Sequence, residues 1–550
     1  MAPSLAREVR NQPPALQGHN VFGTDAALVD GVNREGAGWA ADELRELGRL
    51  AGSPDCIAWG FQANTHTPVL RAYDRYGERI DEVEFHPAWH QLLSVAVEYG
   101  MHGAPWAEAG EGAHVRRAAA FFLWSQVESG VGCPVSMTYA SVPTLRQQPE
   151  VAARWEPLVT SRRYDPALRP ASGKAGALIG MAMTERQGGS DVRANSTVAM
   201  PAGAGGPGTE YRLTGHKWFC SAPMCDAFLV LAQAPGGLSC FLLPRVLPDG
   251  TRNGFHIERL KDKLGNRSNA SSEVEFDDAL AVLVGDEGRG VRTIVEMVNS
   301  TRLDCIIGTA ALMRQAVAQA THHAAHRRAF GRLLSDQPLM ANVLADLALE
   351  SEAATTLMLR LARASDEAYR DEHEAHLRRI GTAVGKYWVC KRGPSTVAEA
   401  LECLGGNGYV EESIMPRLLR EAPVNSIWEG SGNVNALDVL RAIGREPVVL
   451  DALFDEVGLA GGADHRLDDH VQRLRKELAS PDDLEHRARR VVEAMALALQ
   501  GSLLVRFAPA FVADAFCAAR LSGDGGLAFG TLPPKVDTTA MVERARPQWR

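Results

Sequence analysis

The chain has 550 residues, of which 45% are hydrophobic and 23% are charged, and its formal net charge at pH 7 is -9. This balance is typical of a folded globular protein and speaks against disorder on a large scale. The net negative charge also speaks against a global attraction to nucleic acid, so any DNA binding would need a local basic surface.

The sequence shows no pattern typical of a targeting segment, a disulfide framework or a cysteine-based metal site. No run of eighteen apolar residues occurs, and the N-terminal sequence MAPSLAREVRNQPPALQ lacks the apolar core of a signal peptide. These features predict a cytoplasmic protein without a membrane segment. The nine cysteines show no CxxC pair and no regular spacing with histidines, so we predict neither a disulfide framework nor a metal site.

The sequence patterns in the first half of the chain predict two domains, one helical and one of β-strands. In residues 1–174, the segments ADELRELGRLAG, HPAWHQLLSVAVEYG and HVRRAAAFFLWSQVESG place apolar residues at spacings of three and four. This spacing predicts an N-terminal helical domain. Residues 175–287 contain short β-branched runs separated by turn residues, which predict a β-domain.

The second half of the chain predicts helices again. Residues 288–440 contain three long helical patterns and form a predicted four-helix domain, in which Gly405 and Gly406 end the third long helix. Residues 441–550 predict a C-terminal helical extension, with a poorly ordered tail after Ser522. The fold class is therefore mainly α with a central β-domain.

Two motifs in the β-domain could bind a flat ligand. The segment MTERQGGSDVRAN (183–195) offers the hydroxyls of Thr184 and Ser190 beside paired glycines, although a tight structural turn has the same composition. The segment TGHKWFCSAP offers Trp218 and Phe219 for stacking on a ring system, with Ser221 placed to reach a ring nitrogen. A buried aromatic strand is the alternative for this second motif.

Two further motifs in the helical region could bind an anion. In RRAFGRLLSDQP, Arg327 and Arg328 precede Gln337, and arginines can hold a pyrophosphate through paired donors. A solvated helix end would have the same sequence. In LECLGGNGYVEE, the glycines at 405 and 406 allow a close backbone approach, but they are equally typical of a helix C-cap.

The segment PVNSIWEGSGNVNALDVLR places Glu429 between Trp428 and Gly430, just before an amphipathic helix. A carboxylate beside an indole in a poorly solvated pocket is suited to act as a general base. The alternative is a carboxylate that caps free amides at the start of the helix.

Taken in order, the five motifs resemble those of the acyl-CoA dehydrogenase superfamily over roughly residues 175–440. The resemblance implies an N-terminal helical domain, a β-barrel-like middle domain and a C-terminal four-helix region. It also implies non-covalently bound FAD. The residues that the resemblance assigns to FAD are Met183, Thr184, Gly189, Ser190, Trp218, Phe219, Ser221, Arg327, Phe330, Gln337, Gly405, Gly406, Asn425, Trp428, Gly430, Ser431 and Asn433.

The same resemblance implies a catalytic base and a substrate. WEGSG is similar to the family motif that carries the base of the short- and medium-chain enzymes, which assigns this role to Glu429. Isovaleryl and long-chain members keep the base one residue before an arginine on an earlier helix, where this chain has Thr301 before Arg302. The substrate would be an acyl-CoA thioester contacted by Ser190, Arg302 and Glu429.

The resemblance also implies partners. Family members build each FAD site from two subunits, usually within a homotetramer, so we expect this chain to form one. Reduced flavin would pass its electrons to an electron-transfer flavoprotein or another acceptor. No membrane partner is implied.

Longer strings, among them NREGAGW, FHPAWH and ERLKDKLGNRSNASSEVEF, resemble the AidB-like branch of this superfamily. This implies an α,β-dehydrogenase of short or branched acyl-CoA. The alternative is a flavoprotein of the DNA-alkylation response that binds double-stranded DNA with little or no dehydrogenase turnover. The candidate DNA-binding residues are Arg473, Arg475, Lys476, Arg487, Arg489 and Arg490.

The charge of the C-terminal extension leaves both alternatives open. Residues 445–550 hold fourteen Lys and Arg against sixteen Asp and Glu, a balance of -2 before histidines. The six basic residues fall at helical spacings that could group their charge on one surface able to meet phosphates. A solvated helix face mixed with Asp482, Asp483 and Glu485 has the same pattern.

Overall fold

The computed structural model describes residues 9–480 and 482–548. The chain divides into two compact units. The first, called here the sheet unit, comprises Asp55–Cys305 and Trp428–Gly430, and the second, the helical unit, comprises Met1–Pro54, Ile306–Ile427 and Ser431–Arg550. The short segment Trp428–Gly430 thus belongs to the sheet unit although its neighbours in sequence do not.

The bounds of the elements follow the chain. The α-helices are α1 (Ala26–Arg34), α2 (Ala41–Ala51), α3 (Pro54–Thr65), α4 (Pro87–Glu98), α5 (Ala104–Ala107), α6 (Ala113–Ser125), α7 (Gly132–Leu145), α8 (Pro149–Val159), α9 (Gly290–His326), α10 (Pro338–Glu367), α11 (Glu372–Cys403), α12 (Gly406–Tyr409), α13 (Met415–Glu421), α14 (Gly432–Arg445), α15 (Val448–Gly458), α16 (His465–Ala479), α17 (Ala488–Phe507), α18 (Ala510–Phe516) and α19 (Thr538–Ala545). The strands are β1 (Val69–Tyr73), β2 (Arg79–Glu84), β3 (Ile179–Ala182), β4 (Val198–Pro201), β5 (Glu210–Ser221), β6 (Ala227–Ala234), β7 (Gly237–Pro244), β8 (Phe255–Leu260), β9 (Ser271–Val284), β10 (Arg328–Ala329) and β11 (Arg332–Leu333).

The central sheet of the sheet unit is barrel-like. Its strand order is β3-β6-β4-β5-β9-β7, and β6 also pairs with β7, so five of the strands close into a ring while β8 pairs with β9. The sequences of β6 and β7 are nearly continuous apolar runs, and Phe228, Leu231 and Phe241 are fully buried. Strands buried on both faces need such runs. The predicted fold class, mainly α with a central β-barrel-like domain, is confirmed.

A β-hairpin interrupts the helices that precede the barrel. Strands β1 and β2 pair antiparallel, and the Asp74 carboxylate accepts hydrogen bonds from the Tyr76 and Glu78 amides at 2.8 and 2.9 Å. The helical structure predicted for the N-terminal domain is therefore wrong for residues 69–84. The sequence of these residues, VLRAYDRYGERIDEVE, does not alternate strictly between polar and apolar side chains, and its local signal is the turn, which Asp74 and Gly77 (φ +86°) form.

A buried ion pair fixes the loop after β3 to the barrel. The Lys217 ammonium on β5 lies 2.9 Å from the Glu185 carboxylate, and both side chains are 0% exposed. Lys217 also donates to the Leu231 carbonyl at 2.7 Å, and Glu185 accepts from the Ser196 and Thr197 amides at 2.6 and 3.1 Å. Both charges are thus paired and hydrogen-bonded, as burial of charge requires.

Ion pairs also connect the helices of the helical unit. On α9, Arg314 pairs with Asp25 at 3.0 Å, and Asp25 caps α1. On α10, Arg360 pairs with Glu374 of α11 at 2.7 Å and with Glu456 of α15 at 2.8 Å. Three of the predicted long helices, α9, α10 and α11, are present, and α11 ends at Cys403, just before the predicted glycine stop.

The C-terminal tail is ordered as far as residue 548, which corrects the prediction of a poorly ordered tail after Ser522. Its last helix, α19, is capped by the Asp537 carboxylate, which accepts from the Ala540 amide. Arg544 of this helix lies 3.0 Å from both Glu352 and Asp30. The sequence did not indicate this order because the residues that bind the tail, Glu352 and Asp30, are far from it in sequence. In residues 9–480 and 482–548, no helix has the length and apolar character needed to cross a membrane.

Replacing Lys217 by Met should lower the free energy of unfolding by about 3–5 kcal/mol, because the Glu185 carboxylate would stay buried without its counter-ion. Urea unfolding followed by circular dichroism measures this loss. Lys476→Met, at an exposed position on α16, should change stability by less than about 0.5 kcal/mol. If Lys217→Met lowered the free energy of unfolding by less than about 1 kcal/mol, the Glu185–Lys217 pair would not be an important source of stability.

Candidate active site

Two successive residues of α9 hold Glu429. The Thr301 hydroxyl lies 2.7 Å from the Glu429 carboxylate, and the Arg302 guanidinium Nε donates to the Glu429 carbonyl at 3.0 Å. The carbonyls of Met297 and Val298 are farther from the Thr301 hydroxyl, at 3.2 and 3.1 Å. The Thr301 hydroxyl has only one hydrogen to donate, and the Glu429 carboxylate is both the closest acceptor and the charged one. We therefore conclude that Thr301 donates its hydrogen bond to the Glu429 carboxylate.

The backbone at Glu429 is strained. Its φ is +58° and that of Gly430 is +97°, so a non-glycine residue occupies the left-handed region. Such conformations cost of order 1–3 kcal/mol and persist where surrounding contacts impose them. Here the contacts from Thr301 and Arg302 impose it, and the half-buried side chain stays accessible.

The surroundings of Glu429 are polar. Burial raises the pKa of the Cys133 thiol to about 11, against the opposing effects of the Lys263 charge and of hydrogen bonds with Asn269 and Ser221, while the nearby Glu429 charge adds to the rise. Cys133, near the start of α7, therefore lies within interaction range of Glu429 and Ser221. The thiol stays protonated at neutral pH, which makes it a hydrogen-bonding group rather than a nucleophile.

A lysine orders the hydroxyls at the end of β5. The Lys263 ammonium donates to the Ser271 hydroxyl at 2.9 Å and to the Asn269 carbonyl at 2.7 Å. The Ser271 hydroxyl in turn lies 3.1 Å from that of Ser221. Because an ammonium only donates, Ser271 accepts from it and can donate to Ser221, so the hydrogen of Ser221 can point toward a ligand.

The two aromatic residues of β5 differ in their surroundings. The pairing of β5 with β9 shifts register between Lys217 and Cys220, and such a bulge re-aims the residues within it. Phe219 is 53% exposed, whereas Trp218 is half-buried and has the Lys261 ammonium 3.5 Å from its ring centroid. The exposure of Phe219 argues against the alternative of a wholly buried aromatic strand.

The predicted loop at 183–190 contacts this aromatic pair. The Trp218 amide donates to the Thr184 carbonyl at 2.9 Å, and the Asn195 side chain donates to the Met183 carbonyl at 2.8 Å. Gly189 and Ser190 lie in the exposed part of the loop. Within the sheet unit, the structure thus brings Thr184 to Trp218, and Ser221 and Glu429 to Cys133.

In the helical unit, the predicted arginine motif ends α9 and forms a tight hairpin. Strands β10 and β11 are joined by Phe330 and Gly331, whose φ values of +50° and +79° suit a two-residue turn. The Phe330 side chain is 99% exposed. Gln337 donates to the Ala329 carbonyl at 3.1 Å, and Arg327 donates to the Asn11 carbonyl at 2.5 Å.

The remaining predicted cofactor residues of the helical unit lie in two places. Gly405 (φ +59°) and Gly406 follow α11, and a Cβ added at either would meet nothing within 4 Å. Asn425 is buried. Ser431 and Asn433 are exposed at the start of α14, and Asn433 accepts a hydrogen bond from Arg489 at 2.8 Å.

Five of the six candidate DNA-binding residues have partners within the helical unit. These partners are the Leu521 carbonyl for Arg473, the Phe454 ring for Arg475, Glu477 for both Arg487 and Arg490, and Asn433 for Arg489. Such contacts fit the solvated and structural alternative for this charge pattern. Lys476 lies exposed on α16.

Sequence reasoning missed several polar residues of the site. It considered Thr301 only as the position where other family members have their catalytic base and this chain has none. It gave no role to Cys133, Asn269, Ser271 or Lys263. The string that contains Lys263 and Ser271 was noticed for its resemblance alone. No local pattern indicates that Lys263 donates to Ser271, because this contact depends on the loop between β8 and β9.

The donor set fits a flavin nucleotide. The sheet unit offers an exposed aromatic ring and the Thr184 and Ser221 hydroxyls, which suit a polar ring system. The helical unit offers Arg327 and the open first turn of α14, which suit phosphate groups. Within the described ranges, no group of three or more His, Cys, Asp or Glu side chains could hold a metal ion.

Comparison with known families matches three models along the chain. The N-terminal domain of the adaptive response protein AidB matches residues 11–166. The acyl-CoA dehydrogenase middle domain matches residues 180–279, and the acyl-CoA dehydrogenase C-terminal domain matches residues 288–444. The predicted resemblance to the AidB-like group is confirmed.

Individual relatives agree with these models. The chain is 47% identical to AidB of Escherichia coli (strain K12) over 521 residues, which cover 94% of this chain and 95% of the relative. It is 32% identical to acyl-CoA dehydrogenase family member 11 of Caenorhabditis elegans, covering 80% and 73%. The crystal structure of Caenorhabditis elegans ACDH-11 in complex with C11-CoA superposes with a TM-score of 0.84 at 27% identity, covering 100% of this chain and 95% of that one.

The Glu185 pair should give the protein a specific acid sensitivity. Burial alone raises the pKa of Glu185, but hydrogen bonding with Thr197 and the Lys217 charge outweigh burial and lower the pKa to about 2. The stabilisation is therefore present above the unfolded pKa of about 4.3 and is lost as pH falls toward 2.

Glu185→Gln should consequently flatten the pH dependence of the unfolding free energy below about pH 5. Urea titrations at a series of pH values measure the slope. Glu78→Gln, at an exposed position, should keep the wild-type slope. An unchanged slope in Glu185→Gln would show that other carboxylates carry the acid sensitivity.

Proposed function

Because the chain belongs to the acyl-CoA dehydrogenase family of flavin oxidoreductases, we propose that it dehydrogenates a short or branched acyl-CoA with non-covalently bound FAD as acceptor. The observation that carries this proposal is the clamped carboxylate of Glu429. Its side chain and carbonyl are both held by α9, and its strained backbone is typical of functional positions.

Glu429 is the proposed base. It removes a proton from the carbon next to the thioester carbonyl while the neighbouring carbon loses a hydride, and a double bond forms between the two carbons. The oxidised flavin, when bound, supplies the hydride acceptor. The charge-assisted hydrogen bond from Thr301 and the contact from Arg302 fix Glu429 in position, so little reorganisation is needed at the moment of transfer.

Each unit has its own proposed cofactor contacts. For the flavin ring we propose Phe219, the Ser221 hydroxyl and the loop from Met183 to Ser190. For the phosphates and the adenosine we propose Arg327, Phe330 and Gln337, the GGNG loop, Asn425, and the start of α14 with Ser431 and Asn433. The open space at Gly405 and Gly406 and the full exposure of Phe330 support this assignment, since both features leave room for a ligand or a neighbouring subunit.

The short or branched acyl group is proposed from the polarity around the base. Cys133 lies within interaction range of Glu429, and Ser221 and Lys263 act on Cys133 in turn, so a long alkyl chain packed against these groups would leave polar groups without partners. The CoA thioester itself is proposed from the relative that was solved with C11-CoA. Arg302 and Ser190 remain the proposed substrate contacts beside Glu429.

The proposed assembly is a homotetramer, and the proposed electron acceptor is an electron-transfer flavoprotein or an equivalent protein. Phe330, at the tip of the β10–β11 hairpin, is 99% exposed and therefore accessible to a neighbouring subunit, as the family resemblance implies. Light scattering at several protein concentrations would give the mass in solution.

Double-stranded DNA binding remains the alternative function. The pairing of Arg487 and Arg490 with Glu477 supports the enzyme instead, because a phosphate would compete with a carboxylate that these two arginines already bind. An affinity for DNA that falls steeply with salt, in a protein whose flavin no acyl-CoA bleaches, would favour the alternative.

Replacing Glu429 by Gln should abolish flavin bleaching by acyl-CoA and leave FAD bound, because the amide cannot accept the proton. An anaerobic absorbance titration with a panel of acyl-CoA thioesters, including isovaleryl-CoA, measures the bleaching. Wild-type protein should be bleached by a member of the panel. Bleaching at an unchanged rate in Glu429→Gln would overturn the role of this residue.

Replacing Thr301 by Val should slow bleaching about tenfold, the size of one charge-assisted hydrogen bond. The hydrogen bond from Thr301 stabilises the ionised form of the Glu429 carboxylate. Without it the carboxylate should bind a proton more readily, so the acidic limb of the pH–rate profile should move to higher pH. Thr301→Ser keeps the hydroxyl and should stay close to wild type in both respects. If Val and Ser behave alike, the hydroxyl does not act on Glu429.

A further inference from the structure

An arginine of the C-terminal extension contacts a residue proposed to hold FAD. Arg489, at the start of α17, donates from Nε to the Asn433 side-chain oxygen at 2.8 Å. Asn433 is the second residue of α14. Arg489 lies beyond residue 444, where the match to the acyl-CoA dehydrogenase C-terminal domain ends.

The contact determines how the Asn433 amide is oriented. A guanidinium has only N–H donors, so the amide oxygen must face Arg489 and the amide nitrogen must face the other way. The amide nitrogen then presents two hydrogens to an acceptor such as a phosphate oxygen. Without Arg489, the amide could rotate and offer its oxygen, which a phosphate would repel.

A second cation lies at the same helix start. A Cβ added to Gly432 would lie 2.7 Å from Lys391 Cε, 3.4 Å from Lys391 Nζ and 3.6 Å from Arg489 Nη2. Gly432 therefore lets two cationic side chains approach the backbone of the first turn of α14. This turn contains no acidic residue, and the Ser431 side chain does not cap it.

Neither of these two residues forms a salt bridge within the described ranges. No Asp or Glu oxygen there lies within 4 Å of the Lys391 or Arg489 nitrogens, whereas Arg487 and Arg490, on either side of Arg489 in sequence, both pair with Glu477. Arg489 is thus distinct from the other basic residues near it. Its partner is a neutral amide, and its charge is available to an anion.

We propose that Arg489 is a positioning residue of the FAD site, which it serves by orienting Asn433 toward a phosphate while Lys391 adds positive charge. This inference rests on the proposed function. It moves Arg489 from the candidate DNA-binding residues to cofactor binding, and it gives the C-terminal extension a part in holding the flavin nucleotide.

The test is FAD titration of the full-length apoprotein, followed by flavin fluorescence. Arg489→Gln should weaken FAD binding about tenfold, the size of one hydrogen bond that involves a charged group. Arg489→Lys, which keeps the charge and can donate to Asn433, should recover part of the loss. Arg441→Gln, at an exposed position of α14, should bind FAD as the wild type does.

A double-mutant cycle shows whether Arg489 acts through Asn433. If it does, Arg489→Gln should change the FAD dissociation constant much less in an Asn433→Ala background than in the wild type. The thermal unfolding midpoint of the apoprotein should stay the same, which separates positioning from a loss of fold. Equal losses of affinity in both backgrounds would overturn the inference.

The outcomes also separate this inference from the function on which it rests. Wild-type protein that binds no FAD would overturn the proposed function. Wild-type protein that binds FAD, with an equal dissociation constant for Arg489→Gln, would overturn only the role of Arg489.

Discussion

The buried pair of Glu185 and Lys217 is the contact on which the proposed flavin side of the sheet unit depends. Lys217 lies on β5, directly before the aromatic pair, and Glu185 lies inside the loop that carries Thr184 and Ser190. The pair therefore joins two predicted motifs that are some thirty residues apart in sequence. Two charges withdrawn from water are stable only with their partners in place, so any other arrangement of the loop would leave a charge unpaired. This selects one position of the loop relative to the bulge at Trp218 and Phe219.

Glu429 is fixed in a different way, by strain held in place through hydrogen bonds. Its left-handed backbone is unfavourable by itself, and Arg302 and Thr301 hold its carbonyl and its carboxylate. Because these two residues are adjacent on α9, the position of the carboxylate follows the position of one long helix. The residue that stands where other branches of the family place their base is thus a hydrogen-bond donor to the proposed base, Glu429, and a small hydroxyl side chain at position 301 suits this contact.

Much of this organisation was predictable because it is written in local patterns. The long helices repeat apolar residues every three or four positions, the barrel strands are apolar runs, and the cofactor motifs are short strings around Thr184, Phe219 and Glu429. The hairpin at residues 69–84 was missed because its two short strands lack a clear alternation of polar and apolar residues and lie between helical stretches. The order of the tail was missed for another reason, since Arg544 finds Glu352 only after α10 and α19 pack together. The polar surroundings of Glu429 likewise come from distant loops and could not be read from any single segment.

The C-terminal extension shows why charge patterns in sequence are ambiguous. Arg487, Arg489 and Arg490 are nearly consecutive and predict one basic surface, yet the folded chain gives them different tasks. Arg487 and Arg490 share Glu477, which ties the start of α17 to α16, whereas Arg489 turns to α14 and its neutral partner Asn433. An arginine that already has a carboxylate gains little from a phosphate, since it must give up one anion to bind another. An arginine bound to an amide has no such competition, so the electrostatic function of this segment rests on Arg489 rather than on its neighbours.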